Sequence, residues 1–97
     1  MFGISDKSYQ LLQQYFFLKK NINKVIIFGS RALETYRHGS DIDFAVLGED
    51  LNEIEIKTDL ENLSTPYMYD VIDYNKLDNK NLQKHIDNQG KIFFERK

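Results

Sequence analysis

FGSRALETYRHGSDIDFAV, residues Phe28 to Val46, decides how this chain is read. An apolar run, Lys24-Val25-Ile26-Ile27-Phe28, ends in the pair Gly29-Ser30. Ten residues later Asp41 and Asp43 head a second apolar run. Unbroken β-branched and aromatic residues mark a buried strand. Side chains alternate along a strand, so Asp41 and Asp43 share one face. Two carboxylates side by side repel, and a strand gains nothing structural from them. A divalent cation resolves the conflict, because Mg²⁺ is held through one or two carboxylates together with substrate phosphates. Gly29 allows backbone to approach a phosphate closely, and the Ser30 hydroxyl can bond it. Either half alone is ordinary turn chemistry. Together, in this order and between two strand-like runs, they indicate phosphoryl or nucleotidyl transfer.

The spacing Gly29-Ser30, ten residues, Asp41-Ile42-Asp43 resembles the signature of the DNA polymerase β-type nucleotidyltransferase superfamily. The wording GSRA…GSDIDFAV is similar to its smallest members, the minimal nucleotidyltransferase (MNT) proteins, many of which are antitoxins encoded with a HEPN-domain toxin. The resemblance runs from about Val25 to Asp73, and more weakly through the closing NLQKHIDNQGKIFFE. It implies a small mixed sheet flanked by helices. It also implies ATP as substrate and transfer of AMP to a hydroxyl, taken as tyrosine, of a HEPN-type toxin. The family usually carries a glycine five residues after the signature glycine, where this chain has Glu34.

Two-metal phosphoryl transfer needs a third acid near the first two, one ion serving the attacking oxygen and the other the leaving group. The candidates lie in Tyr69-Asp70-Val71-Ile72-Asp73. Alternation puts Asp70 and Asp73 on opposite faces, so only one can join the pair. An unpaired carboxylate inside a strand is costly, so Asp70 needs a cation or hydrogen-bond partners, whereas water can solvate Asp73 nearer the strand end. The family's third acid falls at a position matching Asp70. The expected site is therefore Asp41, Asp43 and Asp70 as metal ligands and catalytic groups, with Asp70 the base. Gly29, Ser30 and Arg31 are the expected nucleotide contacts, an arginine there offsetting charge on phosphorus and pyrophosphate. Arg37 and His38 read as surface residues and His85 as packing. Tyr36 is placed to lie against a bound base.

Ninety-seven residues suit one small domain over 1–97, and 41% apolar with 13% aromatic content suits a folded core. The net charge of −2 argues against broad nucleic-acid binding. With no cysteine, disulfides and thiolate metal sites are ruled out. No apolar run approaches a membrane span and no signal peptide is visible, so the cytoplasm is the expected compartment.

Helical periodicity from Ser5 to Lys20, with Ser5 as N-cap, predicts a first helix. Ser30 is placed to cap a short helix reaching about Thr35. Further helices are expected over Asp50 to Leu63 and Asn79 to about Asn88. Strands are expected over Asp41 to Val46, Tyr67 to Tyr74 and Ile92 to Phe94. Strands alternating with helices make the fold α/β (α+β). Adjacent residues on a helix point about 100° apart, so Phe16 and Phe17 cannot both fill the centre of one core stripe. With Tyr9 and Tyr15 nearby, part of the first helix is expected to dock a partner.

Two rival functions follow from the same residues. Glu34 at the family's glycine position favours a noncatalytic MNT-like module that neutralises its partner by contact alone. Transfer to a small molecule or nucleic acid is weakened by the acidic charge and the absence of a second lobe.

Overall fold

The computed structural model describes residues 1–37 and 39–97. His38 lies outside the described residues. Ser5 starts α1 (Asp6–Leu18) as expected, its side chain accepting from the Ser8 backbone N–H, with Asp6 in the first turn against the helix dipole. Ser8, Leu12 and Phe16 recur every four residues and form its buried stripe. The far end of α1 is capped from the other end of the chain. The Arg96 guanidinium donates to the carbonyls of Phe16, Phe17 and Lys19 at 2.9 to 3.1 Å, a cation where the helix dipole is negative.

The strands are β1 (Ile22–Phe28), β2 (Ile42–Gly48), β3 (Tyr69–Asp73) and β4 (Lys91–Glu95), in spatial order β3-β2-β1-β4. β1 runs antiparallel to both β2 and β4, and β2 runs parallel to β3. A parallel pair needs a crossover. Helix α2 (Glu53–Glu61) provides it, starting later than expected because Asp50 takes a left-handed φ of 50° and Asn52 is the N-cap. After a 3-10 turn at Tyr74–Lys76, α3 (Lys80–Gln89) follows with Asn79 as N-cap. The mixed α+β fold matches the expectation.

Residue parity divides the sheet into two faces. Val25, Ile27, Phe44, Val46, Tyr69 and Val71 pack against α1 and α2 through Leu12, Phe16, Ile56 and Leu60. Phe28, Ala45 and Ile72 face α3 through Ile86 and Leu82. Asp43 shares its parity with Ala45, and Asp70 with Ile72, so both point to the α3 face.

The core takes up more of the α1 aromatics than expected. Phe16 is fully buried and meets Phe44, Phe93 and Phe94 at ring distances of 5.3 to 6.0 Å. Tyr9 packs on Phe93, and the Tyr15 hydroxyl donates to Asp59. Phe17 alone stays outside, 64% exposed, next to exposed Leu18. Phe16→Ala should therefore cost about 3–5 kcal/mol and Phe17→Ala within about 0.5 kcal/mol. Denaturant melts of the two variants check this, and equal losses would contradict it.

Candidate active site

The site sits where β1 ends and β2 and β3 begin. Antiparallel register sets Phe28 opposite Asp43, and parallel register sets Asp43 opposite Asp70. Gly29, one residue past Phe28, is thereby brought against Asp43. It has φ +75°, and a Cβ there would land on the Asp43 Oδ2. Glycine is required twice over, by the left-handed backbone and by the close approach of a carboxylate.

Burial first, then Asp70 and then Asp41 push the Asp43 carboxyl above the usual carboxylate range, while Arg31 and His85 pull the other way. Asp41 lies just ahead of β2 and is exposed. Asp43 thus lies close enough to feel the charge of both other acids. Among the described residues, however, no three His, Cys, Asp or Glu side chains converge tightly enough to enclose an ion. A hard cation such as Mg²⁺ bound here would take the rest of its shell from triphosphate oxygens and water. The all-carboxylate donor set and the raised Asp43 carboxyl fit such a cation.

The choice of Asp70 over Asp73 fits the register, but the burial argument behind it is reversed. Asp70 is exposed, because β3 is an edge strand whose α3 face is open at this point. Asp73 is the buried acid, 5% exposed. Its carboxylate accepts from the Asn75 backbone N–H and its own backbone N–H donates to Glu53. Asp73 caps the 3-10 turn and anchors α2. Strand parity alone could not show which face each helix covers.

Residues 30–35 form one helical turn, not a short helix. Thr35 N–H donates to Ser30 O and Glu34 N–H to Arg31 O, the paired bonds that close a helix end through a left-handed residue. That residue is Glu34, with φ 58°. The family's usual glycine position is therefore a helix-ending left-handed position, and Glu34 adopts the conformation a glycine would take. Glu34→Gly should raise stability by about 1 kcal/mol, the penalty for a side chain in this region less some unfolded-chain entropy. A Tm unchanged or lowered would contradict this.

Arg31 departs from its expected surroundings. It is 3% exposed, and its guanidinium donates to the carbonyls of Ser40, Phe2 and Gly3. The rings of Tyr67 and Tyr36 lie 5.0 and 5.3 Å from it. Four of its five N–H groups are thus bonded within the protein and brace the loop, while its charge still acts on Asp43. The Tyr36 ring lies against Gly3 and Arg31 and is partly exposed at the wall of a cavity. Arg37 is exposed. A cavity of about 610 Å³ opens beside this loop, with Arg37, Ser40, Tyr67 and Met68 in its wall.

One neighbour of the acids escaped the sequence reading. His85 on α3 sets its ring edge-on to Phe28 at 6.3 Å and lies near enough to Asp43 to lower its pKa. The helical face Leu82-His85-Ile86 was visible in sequence, but not that it lies over the end of β1.

A four-stranded mixed sheet with a Gly-Ser turn against paired aspartates defines a nucleotidyltransferase fold. Residues 10–97 match the family model "Polymerase beta, Nucleotidyltransferase", and the chain belongs to that family. No curated protein sequence matches it. Among solved structures it is similar to a chain of a toxin–antitoxin complex with AMP-PNP, at 22% identity and TM-score 0.64, covering 96% of this chain and 76% of that one. It is also similar to a chain of the toxin–antitoxin MntA-HepT, at 20% identity and TM-score 0.70, covering 95% and 74%. A third is a chain of the tri-AMPylated Shewanella oneidensis HEPN toxin in complex with MNT antitoxin, at 23% identity and TM-score 0.63, covering 91% and 73%. At these identities what is shared is the fold.

Proposed function

We propose that this chain is a Mg²⁺-dependent nucleotidyltransferase that moves AMP from ATP to a tyrosine hydroxyl of a HEPN-type toxin, acting as its antitoxin. The observation that carries the proposal is the register pairing of Asp43 with Asp70, with Asp41 one turn of the pleat away and Gly29 held open against Asp43. Membership of the nucleotidyltransferase family supports the reaction type. The likeness to complexes with an AMPylated HEPN toxin and with AMP-PNP supports the acceptor and the nucleotide.

In this reading Asp41, Asp43 and Asp70 would hold two Mg²⁺ ions, which would neutralise the triphosphate and lower the pKa of the attacking hydroxyl. Gly29 and Ser30 seat the phosphates, and Arg31 holds their loop in shape. Asp70, open to solvent at the sheet edge, accepts the hydroxyl proton. The acceptor oxygen bonds to the α-phosphorus, the α–β anhydride bond breaks, and pyrophosphate leaves. Among the described residues no helix is long and apolar enough to cross a membrane, and we place the protein in the cytoplasm. The contact-only alternative drew its support from Glu34, and that support weakens because Glu34 keeps the glycine-like turn.

Calorimetric titration with ATP tests the nucleotide half. Binding that requires Mg²⁺ and disappears with EDTA is expected, and metal-independent binding would contradict the site.

A further inference from the structure

Phe2 and Gly3 are consecutive residues in the left-handed region, at φ 59° and 68°. For Phe2 this costs about 1–2 kcal/mol, so something must hold it there. Its carbonyl and that of Gly3 converge on one atom, Arg31 Nη1, at 3.1 and 3.2 Å. On its other side the same guanidinium forks onto a single acceptor, the Ser40 carbonyl, through Nη2 at 2.7 Å and Nε at 3.1 Å. Tyr67, whose ring lies against the guanidinium, accepts the Ser5 backbone N–H through its hydroxyl at 3.0 Å. The N-terminal strap, the phosphate-side turn and the residue directly before Asp41 thus meet at one buried cation. The strap lies outside the family match, which starts at residue 10.

We infer that Arg31 is a positioning residue: by tying the Phe2 and Gly3 carbonyls to the Ser40 carbonyl, it fixes the backbone that presents Asp41. The inference rests on the proposed nucleotidyl transfer for its catalytic consequence, but not for its structural one. Asp41 precedes β2 and is exposed, so neither the sheet ladder nor core packing holds its carboxylate in place. The next residue, Ile42, is buried and donates its N–H to the Met68 carbonyl. Asp41 is therefore set between one fixed point in the sheet and another at Ser40. Lysine could supply the charge, but as a single ammonium it cannot fork onto Ser40 while holding both strap carbonyls.

The test compares the full chain, Arg31→Lys and a chain lacking Met1–Gly3, which keeps Arg31 and the buried Ile4. Backbone ¹⁵N relaxation at Ser40 and Asp41 should report order parameters near about 0.85 in the full chain, falling below about 0.6 in both variants. In transfer assays kcat should fall about tenfold or more, with KM for ATP within about twofold, because a misplaced ligand costs the transition state more than the ground state. Order parameters that stay high in both variants would overturn the inference. So would a wild-type kcat in Arg31→Lys, or a raised KM with kcat unchanged, which would make Arg31 a direct nucleotide contact. If the full chain transfers nothing, the proposed function fails, and the order parameters alone decide whether Arg31 positions Asp41.

Discussion

Asp43→Asn, alone or with Asp41→Asn, abolishes nucleotidyl transfer while the protein still melts cooperatively, at a temperature no lower than that of the unmodified chain. Asp43 lies partly buried between Phe28 and Asp70, and its ionised form is disfavoured by burial and by the Asp70 and Asp41 charges. Asparagine keeps the shape and removes the repulsion, but a neutral amide cannot replace a carboxylate ligand of a hard cation. The pH dependence has a fixed sign. A carboxyl whose folded pKa is raised binds its proton more tightly folded than unfolded. Stability therefore falls as pH rises through the window between the ordinary carboxylate value and the raised one. The asparagine variant lacks this slope, so its Tm advantage should grow across that window and then level off. Metal–nucleotide affinity should move oppositely, weakening as pH drops and Asp43 takes up a proton. Thermal melts and titrations across acidic pH check both signs, and an unfolded Asp43→Asn variant would make the aspartate structural.

Gly29→Val should be the most damaging single change at the phosphate turn. Its φ of +75° is unfavourable for any side chain and worst for a β-branched one, and the added Cβ would displace the Asp43 carboxylate. A loss of about 2 kcal/mol or more is expected, lowering Tm by roughly 10 °C. Nucleotide affinity should drop beyond what the destabilisation explains, because both the turn and the metal ligand are disturbed. Ser30→Ala, which removes one hydroxyl from the proposed phosphate contacts, should cost only about 0.5–1.5 kcal/mol of nucleotide affinity. Unchanged affinity for ATP in a folded Gly29→Val protein would place the triphosphate elsewhere.

Much of this was legible in the sequence because local rules and tertiary demands agree along most of the chain. Ser5 caps its helix where its side chain predicts, and the apolar runs around Phe28 and Phe44 are strands because nothing else buries them as well. Parity showed that only one of Asp70 and Asp73 could join the pair, and the family resemblance pointed to Asp70, which the register sets opposite Asp43. Features set by long-range contact were hidden. Asp73 is buried and Asp70 exposed because α2 covers one face of an edge strand and the other face is open there, which no window of sequence reports. The bonds of Arg31 were hidden as well, since two of its acceptors lie 28 and 29 residues upstream, at Gly3 and Phe2, and the third is Ser40. Glu34 looked like a departure from the family pattern, whereas its backbone preserves the left-handed turn and only its side chain differs.

The central claim is that the acidic end of this sheet transfers AMP to a protein. Intact-mass spectrometry of a HEPN-domain protein that copurifies with this chain, after incubation with ATP and Mg²⁺, tests it most directly. The account predicts added AMP on a tyrosine of the partner, absent with EDTA and absent with Asp43→Asn. A stable complex in which the partner gains no nucleotide mass would contradict it.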